Sequence, residues 1–154
     1  MCHGNICRSV MAEYVFKHLC RERGVAEMFE VASAAVSTEE TGNDMYPPAK
    51  RKLREKGVPF DRHAAHEITR AEYERYDYVV CADKANIRRL GWIIGDTGLA
   101  ATAGGVGEGK VSLMMSWAGE QRDVADPWYT GDFETAYQDI YEGCTGMLNR
   151  LTGS

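Results

Sequence analysis

The clearest hydrophobic pattern in the chain runs over residues 9–23. Met11, Ala12, Val15, Phe16, Leu19 and Cys20 recur at helical spacing and form one apolar stripe, with Gly24 as a stop. A second long stripe comprises Phe133, Ala136, Tyr137, Ile140, Tyr141, Cys144, Met147, Leu148 and Leu151, which predicts a final helix over about 132–151. Shorter helices are expected after Pro47-Pro48, through Leu53 to Gly57, and after the capping box Thr69-Arg70-Ala71-Glu72. Residues 84–94 read as a further helix. Apolar runs at 29–33, 77–82 and 111–114 read as strands. The stretches 37–43, 95–109 and 116–131 read as loops. Strands alternating with helices predict an α/β fold in which a parallel sheet is covered by helices on both faces.

At 154 residues the chain is expected to form a single domain over 1–154. The net charge of −5 gives no electrostatic support for nucleic-acid binding. No apolar run approaches the ~20 residues of a membrane span, so no membrane role is expected. Five scattered cysteines (Cys2, Cys7, Cys20, Cys81, Cys144) with no basic-then-apolar leader ahead of them read as reduced thiols in a cytoplasmic protein.

The candidate chemistry sits in the first nine residues, Met1-Cys2-His3-Gly4-Asn5-Ile6-Cys7-Arg8-Ser9. A five-residue loop between a thiol and a guanidinium can curl into a nest of inward-pointing N–H groups. Gly4 and Asn5 tolerate the left-handed backbone that such a curl needs. The helix that follows directs its N-terminal dipole at the same point, and Arg8 adds a fork that fits phosphate. In that field Cys2 is expected to be a thiolate nucleophile. Backbone N–H groups from His3 through Gly4, Asn5, Ile6 and Cys7 to Arg8 are the expected phosphate ligands. A Cys-x4-Cys metal site would need two more ligands that His3 and His18 do not supply, so neither a metal nor an organic cofactor is expected.

The string C-H-G-N-I-C-R-S with Met11-Ala12-Glu13, together with Asp126-Pro127-Trp128-Tyr129, resembles the low-molecular-weight protein tyrosine phosphatases over essentially the whole chain. That resemblance implies a four-stranded parallel sheet in a three-layer sandwich. It implies hydrolysis of a phosphotyrosine protein or a small aryl phosphate through a phosphocysteine, with inorganic phosphate as product. Asp126 would be the general acid and then the base, with Asp123 as its rival; an Asp-Pro pair taken alone marks only a turn. Asn5 would hold the loop's shape, and Ser9 would hydrogen-bond the Cys2 sulfur. His63 would bond Ser9 and Glu13, and Trp128 and Tyr129 would flank the substrate ring. Cys7 would be a redox partner for Cys2 under oxidant, or simply a small buried filler. Asp83 fits a family aspartate beside the loop and equally a helix N-cap. Glu39 and Glu40 fall on the pocket wall; as such they would disfavour acidic phosphopeptides, whereas as a solvated charge pair they would do nothing. Val10 replaces the family's proline at the first helical turn.

One departure is large. In the family an apolar strand precedes the nucleophile, and here only Met1 does. Each apolar side chain lost from such a strand costs ~1.5–3 kcal/mol, against a total domain stability of ~5–15 kcal/mol. The first strand is therefore expected to be absent, with the Cys2 loop loosely held or completed by association at open sheet edges. Alternative functions follow from the same residues. An arginine phosphatase of the family would carry Thr at the place of Ile6. An arsenate reductase would need relay thiols beyond Cys81, and position 88 is Arg88. A damaged site would leave a phosphate-binding protein without turnover.

Overall fold

The computed structural model describes residues 1–103, 106 and 109–153. Two parallel strands, β1 (Val79–Cys81) and β2 (Val111–Leu113), pair in register from Val79 with Val111 to Cys81 with Leu113. Around them lie α1 (Arg8–Glu22), α2 (Pro47–Glu55), α3 (Arg70–Arg75), α4 (Lys84–Ile94), α5 (Leu99–Thr102), α6 (Pro127–Thr130) and α7 (Phe133–Thr152). Short 3-10 turns occupy Ala26–Met28 and Met114–Ala118.

The sheet continues past β1 as a chain of parallel contacts. The Met1 ammonium donates to the Val80 carbonyl at 2.5 Å, and the Ala82 N–H donates to the Met1 carbonyl at 2.9 Å. On the other side, Cys2 bridges Ala35 and Ala35 bridges Glu67, both parallel. Met1 and Cys2 thus fill the central place in the sheet, between β1 and Ala35. The expected strand at 29–33 is not formed, and pairing in this part of the chain is confined to Ala35. The reason is local: Met1 and Cys2 offer only two residues' worth of ladder, and they meet Ala35 and Val36. Upstream of that contact, 29–34 and 76–80 flank an open groove of about 470 Å³, floored by Phe16, Met114 and Met147. The loosely held loop expected from the missing strand is likewise not what the chain builds. Two residues anchor Cys2 on both sides.

Side chains alternate across β1 as a pleated strand requires. Val79 and Cys81, with Val111 and Leu113, pack against Ile87, Leu90 and Ile94 of α4 and Leu99 of α5. Val80 and Ala82 face the other layer, where Val10, Met11, Val15 and Leu19 of α1 meet Ala136, Ile140, Cys144 and Leu148 of α7. Helices therefore cover both faces, as the patterning predicted. Helix α4 has the predicted bounds because both ends carry a local signal. Asp83 caps the Asn86 N–H at 2.7 Å, and Gly95 leaves the helix at φ 77°. Helices α5 and α6 and the 3-10 turn Met114–Ala118 fall within or at the edge of stretches expected to be loops. Of the loop expected at 95–109, Gly104, Gly105, Gly107 and Glu108 lie outside the described residues.

Helix α7 approaches the 3-10 turn so closely that Gly146 has no room for a side chain. A Cβ there would lie 2.1 Å from the Trp117 carbonyl oxygen, which is backbone and cannot swing away. Gly146→Ala is therefore expected to destabilise the fold by about 1–3 kcal/mol, the usual cost of overpacking, even though alanine is the better helix former. Urea unfolding checks this; an unchanged or higher midpoint would contradict the packing described.

Candidate active site

The loop from Cys2 to Arg8 is shaped by what binds its carbonyl groups. Val36 N–H donates to the Cys2 carbonyl at 3.1 Å, and the Ser37 hydroxyl to that of His3 at 2.9 Å. His63 Nε2 lies 2.7 Å from the Asn5 carbonyl, Tyr46 N–H donates to Ile6 at 2.9 Å, and Met11 N–H to Cys7 at 3.0 Å. Five carbonyls are thus held by partners outside the loop. Turning them outward turns the N–H groups toward the centre, which makes a nest for an anion. Asn5 is the one non-glycine residue with positive φ (60°) among the described residues, as the curl predicted. Its side chain justifies the strain: Nδ2 donates to the Ser9 hydroxyl at 2.8 Å and to the Ser33 hydroxyl at 3.0 Å.

Cys2 Sγ lies 3.1 Å from Ser9 Oγ. Because Asn5 already donates to that oxygen, the Ser9 proton is left to point at the sulfur. Cys7 shares the loop but differs in state. Burial, followed by the Cys2 and Asp126 charges, pushes its thiol up to about 12. All five cysteines are free.

Arg8 opens α1 and is 3% exposed. Its Nη1 donates to Asp83 Oδ2 at 2.8 Å and to the Val124 carbonyl at 2.7 Å, and its Nη2 donates to Asp126 Oδ2 at 3.3 Å. Burial opposes the charge, but Cys2, Asp126 and Asp83 outweigh it and hold the guanidinium above its ordinary range. Asp83 fills both expected roles at once, capping α4 through one oxygen and holding Arg8 through the other. Asp126 caps α6 by accepting the Trp128 N–H at 3.0 Å. The rival Asp123 is engaged elsewhere, accepting the Lys84 N–H at 3.0 Å.

Cys2, His3, Gly4, Ile6, Cys7, Arg8, Glu39, Glu40, Asp83, Asp126, Trp128 and Tyr129 all line one cleft of about 240 Å³, together with Ala85, Asn86 and Arg89. Asn5 and Ser9 lie behind it, fully buried. Trp128 and Tyr129 stand at the mouth, 50% and 85% exposed. Glu39 pairs with His3 Nε2 at 2.9 Å, and Glu40 accepts from Asn43 Nδ2 at 2.6 Å. Among the described residues, no group of three His, Cys, Asp or Glu side chains is placed to hold a metal ion.

Two supporting contacts differ from expectation. His63 reaches the Asn5 carbonyl rather than Ser9 or Glu13. Ser33 makes the link to the helix instead, accepting from Asn5 and donating to Glu13 Oε1 at 2.6 Å. Neither Ser33 nor Tyr46 was picked out from the sequence. Tyr46 holds the Ile6 carbonyl and places its ring 4.8 Å from that of Trp128, joining the loop to the aromatic wall. The Pro47-Pro48 pair that follows was the available signal for a fixed turn there.

Asp44 supports His63 in turn. It accepts the His63 N–H at 3.0 Å and the Met45 N–H at 2.7 Å and pairs with Lys50 at 2.5 Å. The Lys50 hydrogen bond, opposed by burial and helped by the two backbone donors, lowers its carboxyl to about 2. A carboxyl lower in the folded than in the unfolded chain stabilises above the unfolded value of ~3.9. That stabilisation is lost as pH falls toward 2. Asp44→Asn is therefore expected to lower stability at neutral pH and to flatten its decline between pH ~4 and 2. Urea midpoints at pH 7, 4 and 3 check this; an equal acid decline in both proteins would contradict it.

The family model described as low molecular weight phosphotyrosine protein phosphatase matches residues 1–154. The human protein of that name is 32% identical over 153 residues, covering 97% of this chain and 92% of its own. The protein-tyrosine-phosphatase YfkJ of Bacillus subtilis is 30% identical over 150 residues, covering 96% and 90%. The crystal structure of YfkJ superposes with a TM-score of 0.87 at 28% identity, covering 99% of this chain and 91% of that one. The chain belongs to the low molecular weight phosphotyrosine protein phosphatase family.

Proposed function

We propose that this chain, acting as one domain over 1–154 in the cytoplasm, hydrolyses phosphotyrosine in proteins and small aryl phosphates by way of a phosphocysteine. The observation that carries the reading is the nest itself: five outward-held carbonyls, a charged Arg8 at its end and the Cys2 sulfur beside the Ser9 hydroxyl. The phosphoryl group is bound by the loop N–H groups and by Arg8, which spread and stabilise its charge. The Cys2 thiolate attacks phosphorus as the P–O bond to the phenol breaks. Asp126 gives its proton to the departing phenolate. The bound phosphoryl group takes over the Arg8 Nη2 contact that Asp126 otherwise accepts, which frees the acid to turn toward the leaving oxygen. The Asp126 carboxylate then takes a proton from water as that water attacks phosphorus, and the P–S bond breaks to release inorganic phosphate and the thiolate. Ser9 steadies the sulfur as it leaves. Ile6, Trp128 and Tyr129 make an apolar and aromatic wall for a phenyl ring. Every step is assigned to a side chain of this chain, and no cofactor is called on. Cys7 serves as the redox partner that can close on Cys2 under oxidant.

A Drosophila arginine phosphatase is similar in structure, with a TM-score of 0.82 at 25% identity. The apolar Ile6 favours a phenol over a guanidinium at the leaving position. An arsenate reductase relay is less supported still, because Cys81 is fully buried and burial pushes its thiol up to about 11.

Hydrolysis of p-nitrophenyl phosphate and of a phosphotyrosine peptide, with chelator present, tests the reading. Cys2→Ser is expected to abolish both activities. Asp126→Asn should slow the phosphotyrosine peptide by about 100-fold or more, and p-nitrophenyl phosphate by less, because its leaving group needs less protonation. Activity surviving Cys2→Ser would overturn the mechanism. Phosphate binding without turnover would make the chain a binding protein.

A further inference from the structure

The two walls of the cleft carry different charge. Cys2 lies in the sheet between β1 and Ala35, so the chain after β1 and the chain after Ala35 leave on opposite sides of the phosphate loop. The Ala35 side brings Glu39 and Glu40. The β1 side brings Asp83 and then α4, whose cleft-lining residues are Ala85, Asn86 and Arg89. Ala85 and Arg89 are one turn apart and share a face.

The other charged side chains in the cleft are already engaged in ion pairs or hydrogen bonds. Arg8 holds Asp83 and Asp126, Glu39 holds His3, and Glu40 holds Asn43. Arg89 is exposed and, among the described residues, has no carboxylate within ion-pair distance. Ala85, the next residue toward the phosphate loop on that face, is too short to cover it. Arg89 is therefore a positive charge on the α4 side of the cleft that no carboxylate among the described residues pairs with.

We propose that Arg89 selects phosphotyrosine sites that carry an acidic side chain close to the phosphotyrosine, deepening the phosphatase reading on which it rests. Six residues of helix at ~1.5 Å each put Arg89 ~9 Å from Asp83 along α4. An extended peptide covers that in two or three residues at ~3.3 Å each. The carboxylate read by Arg89 thus lies within three residues of the phosphotyrosine. Glu39 and Glu40 lie on the opposite wall, so a carboxylate directed along α4 meets Arg89 and is kept away from them. This reverses the preference expected from Glu39 and Glu40 alone. Opposite charges at an exposed contact mainly adjust selection and encounter, so the effect is modest and sensitive to salt.

The test uses paired phosphotyrosine peptides that differ only in Glu or Gln at each of the three positions on either side. Wild-type protein is expected to favour at least one Glu peptide over its Gln twin by about three- to fivefold in kcat/KM, the scale of an exposed ion pair. The difference should lie in KM and shrink as salt is raised. Arg89→Glu should abolish or invert the ratio, and Arg89→Lys should keep most of it. Binding of the same pairs to Cys2→Ser protein makes the comparison without turnover, which separates a failure of charge selection from a failure of catalysis. Equal treatment of every pair by wild type, or a preference that survives Arg89→Glu, would overturn the proposal.

Discussion

The site depends on holding one curled loop open toward its centre. Each outward carbonyl from Cys2 to Cys7 that finds a donor helps keep the N–H groups facing in. Those donors come from well-separated parts of the chain: Val36 and Ser37, Tyr46, His63, and Met11 of α1. The catalytic geometry is therefore a tertiary product. A short peptide of the same nine residues would lack all five tethers, and its Asn5 would have no reason to stay at φ 60°. The sheet supplies the remaining constraint. With one ladder contact to Val80 and Ala82 and another to Ala35 and Val36, Met1 and Cys2 are fixed from both sides.

Arg8 ties this loop to the rest of the site. It is buried, and it is shared between Asp83 at the start of α4, Asp126 at the start of α6 and the Val124 carbonyl. A single buried guanidinium with two carboxylates joins three elements that are distant in sequence. Breaking such an arrangement on one side strands the other. Asp83 and Asp126 also cap the helices they precede, so each carboxylate fixes a local turn with one oxygen and the arginine with the other.

The sequence made legible what is written locally. The Cys-x5-Arg string, the capping box at Thr69, the N-cap at Asp83 and the stripes of α1 and α7 each state their structure within a few residues, and they appear as read. Contacts that depend on folding were not legible. Ser33 matters because it meets Asn5 and Glu13, 28 and 20 residues away, and nothing around it in sequence says so. His63 was identified as a supporting residue, but its partner is a backbone carbonyl, which no motif specifies. The strand expected at 29–33 shows the converse failure. Its residues favour a strand, yet a strand needs a neighbour, and the pairing available beside Met1 and Cys2 falls instead at Ala35.

The central claim is that the Cys2 sulfur carries the phosphoryl group between the two halves of the reaction. Asp126→Ala, mixed with p-nitrophenyl phosphate and quenched within its first turnovers, is the most direct sample, because loss of the base slows breakdown of the intermediate more than its formation from so good a leaving group. Peptide mass spectrometry of the quenched protein is expected to find one phosphoryl group, on Cys2. Phosphate attached at any other residue, or bursts of nitrophenol with no modified cysteine, would contradict the account.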